Sequence, residues 1–182
     1  NLRMQAVNDT LAKYPGINIL ASESGFWDEA TGQQVMSDFM AAYPNLDGFW
    51  TQDGMAIGAL EAVIAANPDP FPVVVGEGRV KFLNLWKEML DQNPDFKTIA
   101  VPNSPGVNSN ALRIVVELLE GKELADGVLA GQYGTTIIMP IPNIVTPENF
   151  DEMYDLYKDL PDSYLISGIM TREEVLENYF NE

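Results

Sequence analysis

Four short apolar runs set the strongest limit on what this chain can become: residues 17–21, Phe49-Trp50-Thr51, residues 72–76 and residues 97–101. Each is too brief for a helix and rich in β-branched or aromatic residues, so each reads as a strand. Each leaves through a polar turn into a stretch with helical spacing. Val35, Met36, Phe39 and Met40 mark one such stretch, Leu60, Val63 and Ile64 a second, Phe82, Trp86, Met89 and Leu90 a third, and Ala111, Leu112, Val115, Leu118 and Leu119 a fourth. Parallel neighbours in a sheet need long crossovers, and helices of this length supply them. The alternation therefore predicts an α/β fold, a doubly wound parallel sheet covered on both faces. Pro15-Gly16, Pro44, Asn67-Pro68-Asp69-Pro70 and Asn93-Pro94 punctuate it, and a polar stretch from Asn1 opens the chain as a helix over residues 2–14.

The last third breaks the rhythm. Residues 135–139 are β-like, Pro140 and Pro142 keep the adjoining residues extended, and Thr146-Pro147-Glu148 reads as a helix start leading to Tyr157. A final short helix is expected over residues 171–179, with Glu173 and Glu174 well placed near its N-terminus. Pro105 is placed to open the helix that ends at Gly121.

Composition then removes whole classes of function. The 182 residues are 46% hydrophobic, enough for a real core, and carry 27 acidic against 10 basic side chains, a formal charge of -17. Such a charge repels phosphate backbones and anionic lipid, so neither nucleic acid nor membrane insertion is expected. No run approaches the ~18 apolar residues of a span. With no Cys and no His, thiolate nucleophiles, Cys-bound zinc and the commonest general base are absent. No nucleophile elbow, P-loop, complete dinucleotide loop or calcium loop occurs, and no cofactor or metal is expected.

In open parallel sheets ligands gather outside the carboxyl ends of the strands. The strand exits here are residues 23–28, Gln52-Asp53, residues 77–79 and Asn103-Ser104. Together they offer carboxylates, amides, a hydroxyl, a guanidinium and the loop aromatic Trp27. Carboxylates and amides bind hydroxyls in fork geometry while an aromatic face covers apolar C–H surface, so a sugar suits this mixture. Two bland roles compete. Asp53 also fits a helix N-cap, and Trp27 also fits a core or interface position. An enzyme would have to work through carboxylates, Asp28 or Glu77 with Asp53, as the acid and base of a glycosidase; their spacing does not require it.

The residues that carry a family resemblance are Ala12-Lys13-Tyr14-Pro15-Gly16-Ile17, Ile19-Leu20-Ala21-Ser22, Trp27-Asp28, Gly32, Val35-Met36 and Ala42-Tyr43-Pro44. They continue through Gln52-Asp53-Gly54-Met55-Ala56-Ile57-Gly58-Ala59-Leu60, Val74-Val75-Gly76, Thr98-Ile99-Ala100 and Leu118-Leu119-Glu120-Gly121-Lys122. On these the chain resembles the C-terminal portion of type I periplasmic sugar-binding proteins, the ribose-binding-protein-like receptors of ABC transporters. The resemblance implies that Trp27 stacks on a sugar, that Gln52 binds ring hydroxyls with Asp53 following it, and that Asn103 lies near a polar side chain of the last hinge. Glu77 stands in for an Asp the family places after Val-Gly, in a loop one residue short. The family's sugar-binding Arg falls at or just before Asn1, and Arg3, its neighbour, is not taken as the substitute.

The resemblance further implies residues 1–103 as an α/β ligand-binding lobe, 104–133 as hinge and crossover helix, and 134–182 as returning strand and C-terminal helical tail, with the N-terminal lobe lying upstream. It implies a non-enzymatic receptor in the periplasm, or outside the cell on a membrane anchor, that binds a small sugar or sugar alcohol in an interlobe cleft and delivers it to a membrane permease. The effector core of a sugar-responsive transcriptional repressor shares this fold and differs mainly by an upstream DNA-binding helix pair.

Overall fold

In the computed structural model, which describes residues 2–103, 106–141 and 143–181, three parallel strands form the sheet in the order β1 (Gly48–Trp50), β2 (Val73–Glu77) and β3 (Thr98–Val101). Expectations placed on Asn1, Ser104, Pro105 and Pro142 lie outside the described residues. Helix α1 (Leu2–Leu11) and helix α2 (Glu29–Ala42) precede β1, α3 (Met55–Ala66) joins β1 to β2, and α4 (Val80–Gln92) joins β2 to β3. Gly48 pairs with Val73 and Val74 with Thr98, so the strand ends carrying Trp50, Glu77 and Val101 lie on one edge. This is the parallel α/β architecture that the strand and helix alternation predicted.

Burial explains the order of layers. Helix α3 hides Ala56, Ile57, Gly58, Ala59, Leu60, Ala62 and Val63, so it is covered on nearly every side rather than along one stripe. Small residues make that possible. A Cβ on Gly58 would sit 1.9 Å from the Glu29 carbonyl oxygen, and one on Gly32 would sit 2.9 Å from the Met55 backbone, so α2 and α3 touch backbone to backbone at these two glycines. A main core joins α3 and the sheet to α4, where Trp86, 1% exposed, lies 4.4 Å from Phe150 between ring centroids.

Phe150 begins α6 (Phe150–Tyr157), and the chain reaches it after returning to the sheet. Ala100 and Val145 exchange backbone hydrogen bonds of 2.9 and 3.0 Å, closing the β3 side with one antiparallel bridge. Before that return come α5 (Gly106–Leu119) and a small antiparallel pair, β4 (Leu129–Ala130) with β5 (Thr136–Ile137). The closing helix α7 (Arg172–Tyr179) has Thr171 and Glu174 as a capping box. It is fastened to α5 by Arg172, whose guanidinium grips the buried Glu117 carboxylate through Nε and Nη2.

Two expectations are corrected. Helix α6 starts at Phe150 rather than Glu148, because residues 147–149 form a turn in which Asn149 Oδ1 accepts from the Thr146 N–H at 2.7 Å. The larger correction concerns residues 17–21, read as a buried strand. They form no strand: Ile17 N–H turns back to the Tyr14 carbonyl at 2.9 Å, the Leu20 carbonyl accepts from the Tyr43 hydroxyl at 3.3 Å, and Ile19 is 53% exposed. Among the described residues, β1 makes strand hydrogen bonds only to β2, and no backbone bond joins its other side to residues 18–21. An apolar groove of about 250 Å³ separates them, lined by Ile17, Ile19, Leu20, Val35 and Phe49. Apolar content made this run strand-like; the missing ladder partner is a property of its neighbours, which pattern does not record.

Candidate functional site

The carboxyl ends of the strands deliver their polar residues to one edge, and three side chains there close a ring. Arg3, in the first turn of α1, donates from Nη1 to Asp53 Oδ2 at 3.1 Å and from Nη2 to Asn103 Oδ1 at 2.5 Å. Asn103 Nδ2 then donates to Asp53 Oδ1 at 2.8 Å. Each partner comes from a different element: the β1 exit, the β3 exit and a helix that crosses above them. A charged donor and a charged acceptor joined through an amide hold one another in register, since such bonds are shorter and stronger than neutral ones.

The ring also decides the competing role of Asp53. Its backbone adopts a left-handed φ of 53°, the N-cap of α3 is Gly54, and the Asp53 carboxylate turns to Arg3 and Asn103 instead of to helix N–H groups. Its carbonyl alone serves the helix, accepting from Ala56 N–H at 3.0 Å.

Glu77 ends β2 and is 3% exposed. Its Oε1 accepts from Arg79 Nη2 at 3.1 Å. Burial pushes this carboxyl above the ordinary glutamate range; the Arg79 charge opposes the shift, and the negative charges of Asp53 and Glu29 add to it. Four buried polar atoms at the β1 and β2 exits have no protein partner: Thr51 Oγ1, Gln52 Oε1, Glu77 Oε2 and Arg79 Nε. Leaving such groups unpaired costs about 1–3 kcal/mol apiece, so their concentration at one edge marks unused hydrogen-bonding capacity. Below them Lys81 Nζ bridges Glu29 of α2 and Glu61 of α3, the latter at 3.0 Å, which ties the three helices together at this end.

Trp27 stands on the neighbouring loop. Its φ is 59°, its side chain is 58% exposed, and its carbonyl oxygen lies where a Cβ on Gly54 would meet it at 3.0 Å. A core role is thereby removed. The adjacent Asp28 caps α2, accepting from Thr31 N–H at 2.8 Å and from its hydroxyl at 2.7 Å, and these donors hold the Asp28 carboxyl below the usual range.

Of the residues singled out from sequence, Asp53 and Asn103 are bonded directly, Gln52 adjoins Asp53 in the chain, and Glu77 lies close enough for its charge to feel that of Asp53. Trp27 shares the loop cluster without touching the ring. Two participants stand outside the residues expected to bind: Arg3, which the sequence reading sets aside, and Arg79, which it counts only as the guanidinium of its exit loop. Nothing in spacing marks Arg3, because only the crossing of α1 brings it within reach of residues fifty and a hundred positions away. Arg79 sits in the same exit loop as Glu77, and its pairing was legible as an acid and a base two residues apart.

The edge combines fixed acceptors with fixed guanidinium donors, an inventory that matches a ligand dense in hydroxyl groups. No cluster of three or more acidic side chains suited to a metal occurs among the described residues. No helix there is long and apolar enough to cross a membrane.

Comparison with known proteins gives this geometry a context. The family profile described as "Periplasmic binding protein domain" matches residues 1–123. The chain is 28% identical over 151 residues to the xylitol-binding protein of Mycolicibacterium smegmatis, covering 82% of this chain and 39% of that protein. Its fold matches the periplasmic component of the arabinose ABC transporter of Shewanella sp. ANA-3, solved with L-arabinofuranose, at TM-score 0.63 and 24% identity over 86% of this chain and 49% of that one. It likewise matches an ABC transporter solute-binding protein of Actinobacillus succinogenes with bound D-allose, at TM-score 0.59 and 24% identity over 82% of this chain and 49% of that one. The chain thus spans about half the length, or less, of the relatives it matches.

Proposed function

Since the chain belongs to the periplasmic binding protein domain family, we propose that it forms one wall of a sugar site, in the solute-binding component of an ABC-type uptake system. It binds a small sugar or sugar alcohol and acts outside the cytoplasm, handing its ligand to a membrane permease. It is a binder and not an enzyme. The observation that carries the reading is the Arg3, Asp53 and Asn103 ring beside Gln52, a rigid set of donors and acceptors at the carboxyl edge of a parallel sheet. The names of the relatives support the ligand class, since those proteins are called xylitol-binding or were solved with arabinofuranose and allose.

An open edge cannot enclose a sugar or exclude water from its hydrogen bonds, so the affinity of these 182 residues alone is expected to be about millimolar, near -4 kcal/mol. Nuclear magnetic resonance titration with xylitol, L-arabinose and D-allose reads such weak binding directly. Shifts that gather on Arg3, Gln52, Asp53 and Asn103 support the assignment. Saturating shifts confined to another surface, or none with any of the three, overturn it.

A further inference from the structure

Among the described residues of the candidate edge, Glu77 is the one buried carboxylate, and its surroundings compensate it incompletely. The cation that faces it is Arg79, on the turn into α4, and that contact engages a single oxygen, Oε1. Two further carboxylates face it, Asp53 from the β1 exit and Glu29 from the first turn of α2; Glu29 is itself held by Lys81 of α4. From the β3 side comes Pro102, which packs on Gly78 and brings no charge, and the segment at Tyr164, Leu165 and Ile166 meets this loop through its backbone, with Ile166 N–H donating to the Gly78 carbonyl and the Tyr164 carbonyl accepting from Val80 N–H. Oε2 is left without a partner, and so is Arg79 Nε on the guanidinium beside it. An acceptor and a donor therefore lie idle on one ion pair, out of solvent, at the mouth of a sheet edge suited to hydroxyl ligands.

We propose that Glu77 couples sugar binding to proton release: a ligand hydroxyl donates to Oε2 and accepts from Arg79 Nε, which requires the ionised carboxylate, so affinity falls as the solution is acidified. This rests on the sugar-binding reading above and adds a regulation to it. In the free protein, Glu77 acquires a proton at milder acidity than an exposed glutamate does, because burial and the facing carboxylates disfavour its charge. When the hydroxyl enters, a charge-assisted bond replaces the empty position, the ionised form is favoured, and the proton leaves Oε2 for solvent. The guanidinium is the group that yields to admit it, since the Arg79 side chain is a quarter exposed whereas Glu77 is enclosed.

The test tracks the Glu77 carboxyl carbon by nuclear magnetic resonance across a pH titration, with and without xylitol, L-arabinose or D-allose, while amide shifts report occupancy. The midpoint of Glu77 is expected to drop on adding the sugar that binds, and the dissociation constant to weaken toward the acid side by up to about tenfold per pH unit within the window between the two midpoints. Glu77→Gln keeps the shape and an acceptor but cannot change charge, so its affinity is expected to be weaker at neutral pH and flat with pH. A sugar that binds without moving the Glu77 midpoint, or a Glu77→Gln variant as pH-dependent as the parent, overturns the proposal and leaves the sugar-binding reading intact. Absence of occupancy at every pH overturns both.

Discussion

Gly58→Ala sets two opposing effects against each other, and the structure says which prevails. In an exposed helix the change gains about 1 kcal/mol, because alanine loses less backbone freedom than glycine on folding. Here the added carbon would stand 1.9 Å from the Glu29 carbonyl oxygen and 2.9 Å from Gln33 N, both backbone atoms of α2. Neither can rotate away. Ordinary contact requires α2 to retreat by more than about an ångström, and forcing a methyl into a closed interface typically costs about 1–3 kcal/mol, more where backbone must move. That retreat would also loosen Met36 and Met40 from Ala59, Ala62 and Val63. We expect a net loss of roughly 2 kcal/mol, read as a lower urea midpoint at unchanged slope. Gly16→Ala, in a turn where a Cβ meets nothing within 4 Å, controls for a glycine replaced without a clash, though not for helix propensity. If Gly58→Ala instead raises stability by about 1 kcal/mol, propensity has prevailed and the backbone contact between α2 and α3 is not as described.

In a two-lobed receptor carrying this chain, Trp27→Ala is expected to weaken sugar binding roughly tenfold to a hundredfold, about 1–3 kcal/mol, while leaving the urea midpoint nearly unchanged, because its side chain is 58% exposed; a large stability loss with unaltered affinity in the folded fraction would remove the stacking role. Trp86→Ala should do the reverse, costing about 3–5 kcal/mol of stability through the cavity it leaves against Phe150, measurable by denaturant titration. Asp28, held low by its Thr31 donors, contributes stability that is complete above its unfolded-state midpoint and lost as pH falls through the folded one. Asp28→Ala should therefore be less stable than the parent near neutral pH and converge with it in acid; a constant gap down to the acid limit would contradict that origin.

The parallel sheet was legible because strands and crossover helices announce themselves locally. Val73-Val74-Val75 carries its own β-propensity, Trp86 and its helical neighbours carry their own period, and the breakers between them fall where the chain turns. The capping box at Thr171 and Glu174 is local too, and the helix following Thr171 appeared where expected. What escaped depends on companions distant in sequence. Residues 17–21 have strand composition, but pairing is decided by what lies beside them, and β1 stays across a groove. Asp53 fitted a helix cap, and only the approach of Arg3 and Asn103, fifty residues away on either side, shows that its carboxylate turns elsewhere. Trp27 illustrates the same limit, since an aromatic in a loop reads alike whether its ring turns inward or out.

The flank of β1 that has no ladder partner among the described residues, with the apolar segment opposite it, bears on how copies of this chain behave toward one another. Open strand edges are templates for intermolecular pairing, and charge is among the devices that proteins use to blunt them. Here the groove is lined mainly by aliphatic and aromatic side chains, with Glu23 a carboxylate among them, and the chain as a whole carries a net charge of -17 over 182 residues. Repulsion of that kind reaches about 30 Å at 0.01 M ionic strength and about 3 Å at 1 M. Colloidal behaviour should accordingly be governed by the buffer: dispersed particles in dilute salt, and growing scattering intensity as screening lets the apolar grooves of two copies approach.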